Sequence, residues 1–512
     1  MTITEKIGQR LVGGFPGTEM SPEFIRLVKE YKIGNVILFQ RNCESSGQLA
    51  KLCRDIQELV GRETGHRAFI TIDQEGGAVT RLPCEAVNVP GAMALAAAGG
   101  PENAYRAARL TAAELRSYGI NFNLAPVADV NNNPDNPIIG VRSYGDTAEQ
   151  AARYAAAALQ GYLDGGVMAS AKHFPGHGDT AMDSHLSLPC IDKTLEELER
   201  LELRPFKALI GAGCPAVMTT HILFPRLEPD NVPATMSRRI ITGILKERLG
   251  FKGLVVSDCV EMQAIGVYYG SAKGAAAAMA AGVDLVLVSH TAETLEEAAR
   301  ACREAVDSGE IAMEELDASA EKILRYKEQY CMEPVGAPER PEALAEAAAL
   351  RQATITLAQG TIPELGEKPF FCGCADYQAG LVSNREMEKP AFAEFMASRL
   401  GGVALVTGKD PSPEEIQTAA DAARGHSSIF LSAYNGHLFP GQTALMEALG
   451  KLDIPMAVVA LRNPYDLRYA PGHAAAIAAW DYSRLTLEAL VPVLAGKARP
   501  QGRLPIALER RA

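Results

Sequence analysis

Three histidines lie close together in one short polar segment of the chain. The segment reads Lys172-His173-Phe174-Pro175-Gly176-His177-Gly178-Asp179-Thr180, and Asp183-Ser184-His185 follows it shortly. Asp183 and His185 are two residues apart, so the carboxylate can accept a hydrogen bond from one imidazole nitrogen. Such a partner fixes the tautomer and makes the other nitrogen more basic. The pattern therefore predicts a histidine that donates and accepts a proton near neutral pH.

The same residue types are also metal ligands, because zinc and iron sites use histidine and aspartate. Gly176 and Gly178 favour a loop over a helix, so no two histidines share a helical face as they do in HExxH. We therefore expect no metal and no cofactor. A loop whose polar groups satisfy only one another is the other open interpretation of this segment.

Several polar residues directly follow apolar runs. Asp73 comes after Phe-Ile-Thr-Ile, Lys172 and His173 come after Ala-Ser-Ala, and Asp258 comes after Leu-Val-Val-Ser. A buried ionisable group is costly unless it is paired, so carboxylates at the ends of apolar strands need a reason. Asp258 could also cap a following helix, as aspartates often do. His221 ends another such run and could either line a pocket or be a satisfied core histidine.

The elements that would position these residues recur along the first 300 residues. Apolar runs alternate with segments rich in Ala, Leu, Glu and Arg, which is typical of parallel strands joined by helices. The predicted strands are Arg10–Gly13, Asn35–Phe39, Ala68–Asp73, Asn121–Pro126, Met168–His173, Ala216–His221, Leu254–Asp258 and Asp284–Ser289. Eight strand and helix repeats predict a (β/α)8 TIM-type barrel. The active sites of such barrels lie at the carboxyl ends of the strands.

A segment rich in proline and glycine, residues 332–338, has the composition of a linker. Strand-like runs alternate with helical segments beyond it too. We therefore predict an α/β protein with a catalytic barrel over residues 1–335 and a smaller α/β sandwich domain over residues 345–512.

Composition limits the partners. The formal net charge of −12 argues against a nucleic-acid or anionic-membrane surface. No stretch reaches the roughly 18 uninterrupted apolar residues that a membrane span needs. The first residues lack the apolar core of a secretory signal, and the ten cysteines show no metal or redox motif. We expect reduced cysteines and a cytoplasmic protein, and the sequence leaves the oligomeric state open.

Taken together, KHFPGHGDT and the DSH that follows resemble the signature of bacterial β-N-acetylhexosaminidases in glycoside hydrolase family 3. Other segments are similar to that family's pattern: Ile72-Asp73-Gln74-Glu75-Gly76-Gly77 with Arg81 after it, Arg142-Ser143-Tyr144-Gly145, and Val256-Ser257-Asp258-Cys259-Val260-Glu261-Met262. The resemblance covers nearly all of residues 1–330. A segment near the end, residues 496–505, is similar to the close of the family's second domain.

The resemblance implies a retaining exo-β-N-acetylglucosaminidase. It places the nucleophile on Asp258 and the acid/base on His185, with Asp183 as the partner of the histidine. It implies that the terminal sugar is bound by a further set of residues, namely Asp73, Arg81, Arg142, Lys172 and His173. The roles of the two arginines depend on the resemblance alone.

The implied substrate is a small carbohydrate that ends in a β-linked N-acetylglucosamine, such as a muropeptide from peptidoglycan. Three alternatives stay open: a β-glucosidase, a phosphorylase of the same family, and a non-catalytic sugar-binding protein. The Asp183 and His185 pair disfavours a glucosidase, in which a carboxylate from the second domain typically takes the acid/base role. Glu75, Glu261 and Cys259 lie close to the predicted site without an assigned role.

Overall fold

The computed structural model describes residues 1–180, 188–334, 340–375 and 390–508. Within these ranges the first sheet has eight parallel strands that follow one another around a barrel in chain order. They are β1 (Leu11–Gly13), β2 (Asn35–Leu38), β3 (Phe69–Ile72), β4 (Phe122–Asn123), β5 (Met168–Phe174), β6 (Ala216–Thr219), β7 (Leu254–Val256) and β8 (Val286–Val288). Strand β8 pairs with β1, and a bridge from Val256 to Leu285 nearly closes the circle. The predicted (β/α)8 barrel is confirmed.

The inside of the barrel is filled by apolar side chains from successive strands. Phe69 of β3 and Phe122 of β4 meet edge to face, with ring centroids 5.5 Å apart. Val12, Met168 and Leu254 belong to the same buried cluster. Because the interior is packed and is not a pore, chemistry is confined to the rim of the barrel.

Helices surround the barrel. They are α1 (Ile3–Arg10), α2 (Pro22–Tyr31), α3 (Ser46–Thr64), α4 (Ala92–Ala97), α5 (Pro101–Tyr118), α6 (Ala148–Asp164), α7 (Leu195–Arg200), α8 (Leu203–Gly211), α9 (Gln263–Gly266), α10 (Ser271–Ala281), α11 (Ala292–Asp307) and α12 (Met313–Tyr330), with a π-helix over Arg239–Arg248. Helix α3 shows how local sequence sets their bounds: Ser45 caps its start by accepting from the backbone N–H of Gln48, and Gly65 ends it in the left-handed conformation. Helices α5 and α6 pack closely at Gly161, where a Cβ would lie 2.4 Å from the carbonyl oxygen of Tyr105.

A second sheet lies in the later part of the chain. Its strands are β9 (Thr356–Gln359), β10 (Pro369–Cys374), β11 (Val403–Thr407), β12 (Ser428–Ala433), β13 (Met456–Ala460) and β14 (Ala475–Ala478), and its helices are α13 (Arg340–Thr354), α14 (Phe392–Leu400), α15 (Pro413–Ala423), α16 (Pro440–Gly450) and α17 (Arg484–Leu494). The strand order is β11-β10-β12-β13-β14-β9, and only the edge strand β9 is antiparallel to its neighbour. Buried apolar clusters cover both faces, as expected for a predominantly parallel sheet between two helical layers.

The second sheet packs against the rim of the barrel. Met93, Ala97 and Val141 from the barrel segment share one buried cluster with Tyr465 and Trp480. Apolar burial of this kind favours a fixed arrangement of the two sheets. In the described ranges, no helix is both long and apolar enough to cross a membrane.

Candidate active site

A buried network of four charges lies at the carboxyl ends of β3 and β5. The ammonium of Lys172 donates to Asp73 Oδ1 at 2.7 Å and lies 2.7 Å from Glu75 Oε1. The guanidinium of Arg142 donates to both Glu75 oxygens, at 2.9 and 2.8 Å. The side chains of Lys172 and Arg142 are only 2% and 4% exposed. We call these four residues the charged cradle.

The charges of the cradle stabilise one another. Burial by itself raises the pKa of Glu75, but Arg142 and Lys172 outweigh it and hold that pKa well below its usual range. Burial likewise lowers the pKa of Lys172, yet Asp73 and Glu75 bring it above its ordinary value. Glu75 and Lys172 are therefore both charged at neutral pH. Donors and acceptors are held in place for a polyhydroxylated ligand.

His173 is held by a carboxylate that the sequence did not single out. Asp129 Oδ2 lies 2.7 Å from His173 Nδ1, and Asp129 also accepts from the backbone N–H groups of His173 and His177. On the other side of the ring, His173 Nε2 lies 3.3 Å from Arg142 Nη2. Because a guanidinium can only donate, Nε2 accepts and Nδ1 carries the hydrogen toward Asp129. His173 thus links Arg142 of the cradle to Asp129.

His177 packs beside this pair as a neutral group. Its ring lies 5.6 Å from that of His173, and its Nδ1 lies 3.0 Å from Thr180 Oγ1. Burial, with a contribution from His173, lowers the pKa of His177 to about 4. The histidine therefore stays uncharged at neutral pH and supports the position of His173.

Arg81 lies beside the cradle on the loop after β3. It is 6% exposed, and its backbone N–H donates to Gln74 Oε1 at 2.8 Å. Burial lowers the pKa of Arg81, while Asp73 and Glu75 act to raise it. The loop turns tightly at Gly77, which has a φ of +56° and where a Cβ would lie 2.7 Å from the backbone nitrogen of Gly91. Glycine is needed there for both the conformation and the space.

Asp258 follows β7, and its side chain is half-buried at the same end of the barrel. Its Oδ1 accepts from the backbone N–H of Cys259 at 2.7 Å. The next helix, α9, is preceded by Met262 at its N-cap position, so Asp258 does not cap it. The helix-cap interpretation of Asp258 is therefore wrong.

Residues around Asp258 anchor the loop on which it lies. His221 Nδ1 lies 2.9 Å from Thr235 Oγ1 and its Nε2 lies 2.9 Å from the carbonyl oxygen of Cys259, so both ring nitrogens are engaged within the protein. Burial raises the pKa of the Cys259 thiol to about 12. Glu261 accepts from the backbone N–H groups of His290 and Thr291. The contacts of His221 and Glu261 hold the loop that carries Asp258.

One cluster in the described part of the chain brings metal-ligating side chains within reach of one another, namely Cys259, Glu261 and His290. Glu261 is already occupied by hydrogen bonds from the β8 loop, and Arg41 Nη1 lies 3.2 Å from His290 Nδ1. Glu261 and His290 are thus both engaged by contacts within the protein.

The predicted acid/base pair, Asp183 and His185, lies in residues 181–187, outside the described residues. Of the other predicted site residues, the structure brings together Asp73, Arg142, Lys172 and His173. Arg81 lies beside them, and Asp258 lies on the same rim. It adds Glu75 as a central member of the cradle and Asp129 as the partner of His173. A carboxylate six residues beyond the β4 run, at the same end as Asp73 and Asp258, is the sequence feature that could have pointed to Asp129.

The second part of the chain contacts the loop after β3, which carries part of the charged cradle. Arg351 of α13 donates to the carbonyl oxygen of Asn88 at 2.9 Å and pairs with Asp481 at 3.1 Å. Asn88 lies on the same loop as Asp73, Glu75 and Arg81. A small cavity is lined by residues of both parts: Glu75, Gly76, Ala78, Gly91, Ala92, Ala94, Val141, Arg142 and Trp480. The loop after β3 is thus held between the barrel and the second sheet.

The chain is similar in sequence and in fold to known proteins. The sequence model for the glycosyl hydrolase family 3 N terminal domain matches residues 2–326. The chain belongs to glycosyl hydrolase family 3. A family 3 β-N-acetylglucosaminidase from Paenibacillus sp. strain FPU-7 is 38% identical in sequence, with a TM-score of 0.91 over 100% of both chains.

Relatives of this family 3 chain differ in length and in what their names describe. A protein named β-hexosaminidase A from Pseudoalteromonas piscicida is 33% identical over 332 residues, which are 60% of this chain and 56% of that relative. The chain thus spans little more than half the length of that relative. A β-glucoside phosphorylase has a TM-score of 0.81 over 99% of this chain and 94% of its own, but at 21% identity the likeness shows the fold alone.

Proposed function

We propose that this chain is a retaining exo-β-N-acetylglucosaminidase that removes terminal β-linked N-acetylglucosamine. The observation that carries the proposal is the charged cradle, which lies on the same barrel rim as the half-buried Asp258. The 38% identical Paenibacillus enzyme, which matches over the full length of this chain, supports the choice of sugar. We further propose two domains, over residues 1–335 and 345–512.

The cradle would bind the terminal sugar. Lys172 has three N–H donors, of which two point to Asp73 and Glu75, and Asp73 keeps acceptor capacity for a sugar hydroxyl. Arg142 and Glu75 are both buried and paired with each other, and in this proposal they would close the inner end of the site. A sugar chain could not continue past them, which favours attack on the terminal unit only.

Asp258 would attack the anomeric carbon of the bound sugar. As the new C–O bond to the carboxylate forms, the glycosidic bond breaks and His185 gives its proton to the departing oxygen. Water then attacks the glycosyl ester, loses a proton to the same histidine, and releases Asp258 as a carboxylate. Asp183 would keep His185 in the required tautomer. These roles follow from the family resemblance.

The natural substrate is proposed to be a fragment of peptidoglycan, in which N-acetylglucosamine is β-linked to a further sugar. The cradle contacts only the terminal sugar in this scheme. It does not distinguish peptidoglycan fragments from other glycosides with the same terminal unit. The leaving-group side of the substrate must be recognised elsewhere.

Hydrolysis of 4-nitrophenyl N-acetyl-β-D-glucosaminide and of the matching β-glucoside, each with and without phosphate and with a chelator, tests the proposal. We expect chelator-resistant release from the N-acetyl substrate only. Stimulation by phosphate would show phosphorolysis instead, preference for the glucoside would overturn the choice of sugar, and silence on both would favour a binding protein.

Variants then test the assigned roles. Asp258→Asn should lower kcat by at least about 10³-fold with the fold intact, whereas exposed Asp230→Asn is the matched control. His185→Ala should reduce turnover of alkyl glycosides far more than of aryl glycosides, because a nitrophenolate leaves without a proton. Equal losses on both substrate types would remove His185 from the acid role.

A further inference from the structure

An exposed arginine, Arg41, lies at the active-site rim of the barrel, on the loop after β2. Its guanidinium carbon lies 4.5 Å from the centroid of the Phe39 ring. Its Nε donates to the carbonyl oxygen of Phe15 at 3.2 Å, and its Nη2 donates to that of Ser289 at 2.8 Å. Phe15 follows β1 and Ser289 follows β8, so the loops of three neighbouring strands hold the guanidinium in one orientation.

The guanidinium of Arg41 has more N–H groups than protein acceptors. Of its five N–H donors, two bind the carbonyl oxygens of Phe15 and Ser289, and one on Nη1 lies toward His290 Nδ1, 3.2 Å away. Within the described ranges, one N–H on each terminal nitrogen therefore has no protein acceptor. Two N–H groups of one guanidinium are what a carboxylate accepts in a bidentate pair.

Arg41 lies close to the proposed nucleophile. A ring nitrogen of His290, its neighbour, lies within 4.8 Å of the sulfur of Cys259. The backbone N–H of Cys259 donates to Asp258 Oδ1 at 2.7 Å. Only two residues thus connect Arg41 to Asp258, and both belong to the same part of the rim.

The charges around Arg41 favour an anion. Burial of part of the side chain lowers the pKa of Arg41, and Cys259, Glu261 and Arg81 have smaller effects on it. Glu261 is thus an acid in its vicinity, but the oxygens of Glu261 accept from N–H and hydroxyl groups of the loop after β8. No ion pair joins Arg41 to any carboxylate of the described residues. Arg81 adds a second positive charge on the side of the cradle.

We propose that Arg41, stacked on Phe39, binds a carboxylate on the leaving-group part of the substrate. This inference rests on the proposed glycosidase function and specifies it further. The cradle would hold the terminal N-acetylglucosamine, and Arg41 would select an acidic saccharide next to it, such as the N-acetylmuramic acid of peptidoglycan. Arg41 takes no part in breaking the bond, so its effect is on binding of the leaving group.

The test compares two disaccharides, N-acetylglucosamine β-linked to N-acetylmuramic acid and the methyl ester of the same compound. They share the glycosidic bond and differ by one negative charge. Arg41→Met removes the positive charge and keeps an apolar stem over Phe39, whereas Arg41→Lys keeps the charge without the planar fork. Arg399→Met on α14 is the matched control, because Arg399 is also exposed and lies 5.3 Å from the ring of Phe395.

We expect wild type to have a kcat/KM for the acid at least about tenfold above that for the ester, mainly through KM, because the pair is charged and bidentate. Arg41→Met should remove this preference, Arg41→Lys should keep part of it, and the control should keep all of it. Added salt should weaken the preference, since the site is exposed.

Equal losses on acid and ester in Arg41→Met, or no preference in wild type, would overturn the proposal. Arg41 would then only hold the loops of the rim together. If neither disaccharide is hydrolysed, the proposed function fails instead. Calorimetric binding of the acid and the ester to wild type and Arg41→Met needs no turnover and tests the same preference.

Discussion

Replacing Glu75 by glutamine should damage both the stability and the activity of the protein, because Glu75 joins the two cations of the cradle. Its carboxylate accepts two hydrogen bonds from Arg142 and lies 2.7 Å from the Lys172 ammonium. Hydrogen bonds to charged groups contribute about 1.5–3 kcal/mol each, and breaking one side of a buried ion pair costs about 3–5 kcal/mol. Glutamine keeps one acceptor oxygen and turns an NH₂ group toward a cation. We therefore expect a free energy of unfolding lower by about 3 kcal/mol.

The catalytic cost of this change follows from the same geometry. If Arg142 and Lys172 lose their positions, the terminal sugar loses donors that act in the transition state. A loss of about 3 kcal/mol corresponds to a fall of roughly 100-fold in kcat/KM for the 4-nitrophenyl glycoside, since about 1.4 kcal/mol is tenfold. Steady-state kinetics and urea unfolding measure the two effects. Exposed Glu297→Gln on α11 is the matched control.

The pH dependence provides a further check on the same residue. The folded-state pKa of Glu75 lies well below that of the unfolded chain, so its stabilisation is present above the unfolded pKa and is lost as the pH falls through the folded one. The stability difference between wild type and Glu75→Gln should therefore be constant from about pH 5 to pH 8 and shrink in acid. A variant as stable and as active as wild type would refute the reasoning about the cradle.

Three other predictions concern the surroundings of the site. Arg351→Met should raise KM and lower the free energy of unfolding by about 3 kcal/mol, because it leaves the buried Asp481 carboxylate without its cation and frees the loop at Asn88; unchanged urea unfolding would contradict this. Burial lowers the pKa of Lys327 to about 7, so the folded state binds fewer protons than the unfolded state between about pH 7 and 10.5 and stability should rise with pH there. Lys327→Met should remove this rise in stability with pH. Urea unfolding of wild type and variant, each at pH 7 and at pH 9, measures the effect. Alkylation at pH 7.5 followed by mass spectrometry should label exposed Cys84 and spare Cys259, with activity retained; loss of activity in step with Cys259 labelling would contradict its high pKa.

Some features of the site follow from local sequence, whereas others depend on contacts between segments that are distant in the chain. Asp73, Lys172, His173 and Asp258 could be assigned to the rim because each comes at the end of an apolar run in the sequence, and strand ends in a barrel converge. The partners of Glu75 and Asp129 could not be predicted, because they lie 67 and 44 residues away in the chain. Such pairings depend on the path of the loops between strands and helices.

The second sheet could likewise be predicted from the sequence only in part. Its parallel strands β10 and β12 to β14 are apolar and buried, and β11 is a more exposed edge strand. All five were recognised in the sequence as strand-like runs. Strand β9, Thr356–Gln359, was not predicted, because its four residues become a strand only through antiparallel pairing with β14 about 120 residues later. The contact of this sheet with the barrel rim was likewise left open by the sequence.

The amino-acid sequence alone determined the repeated strand and helix pattern, the barrel, the rim position of the polar residues and the family. These follow from the periodicity of apolar residues and from short motifs, which act over a few residues. Only the tertiary structure decided which charges pair, that Glu75 joins Lys172 to Arg142, and that Arg351 and Tyr465 contact loops of the barrel. Those contacts join segments distant in the chain, and their energies depend on burial that arises only when the two sheets pack together.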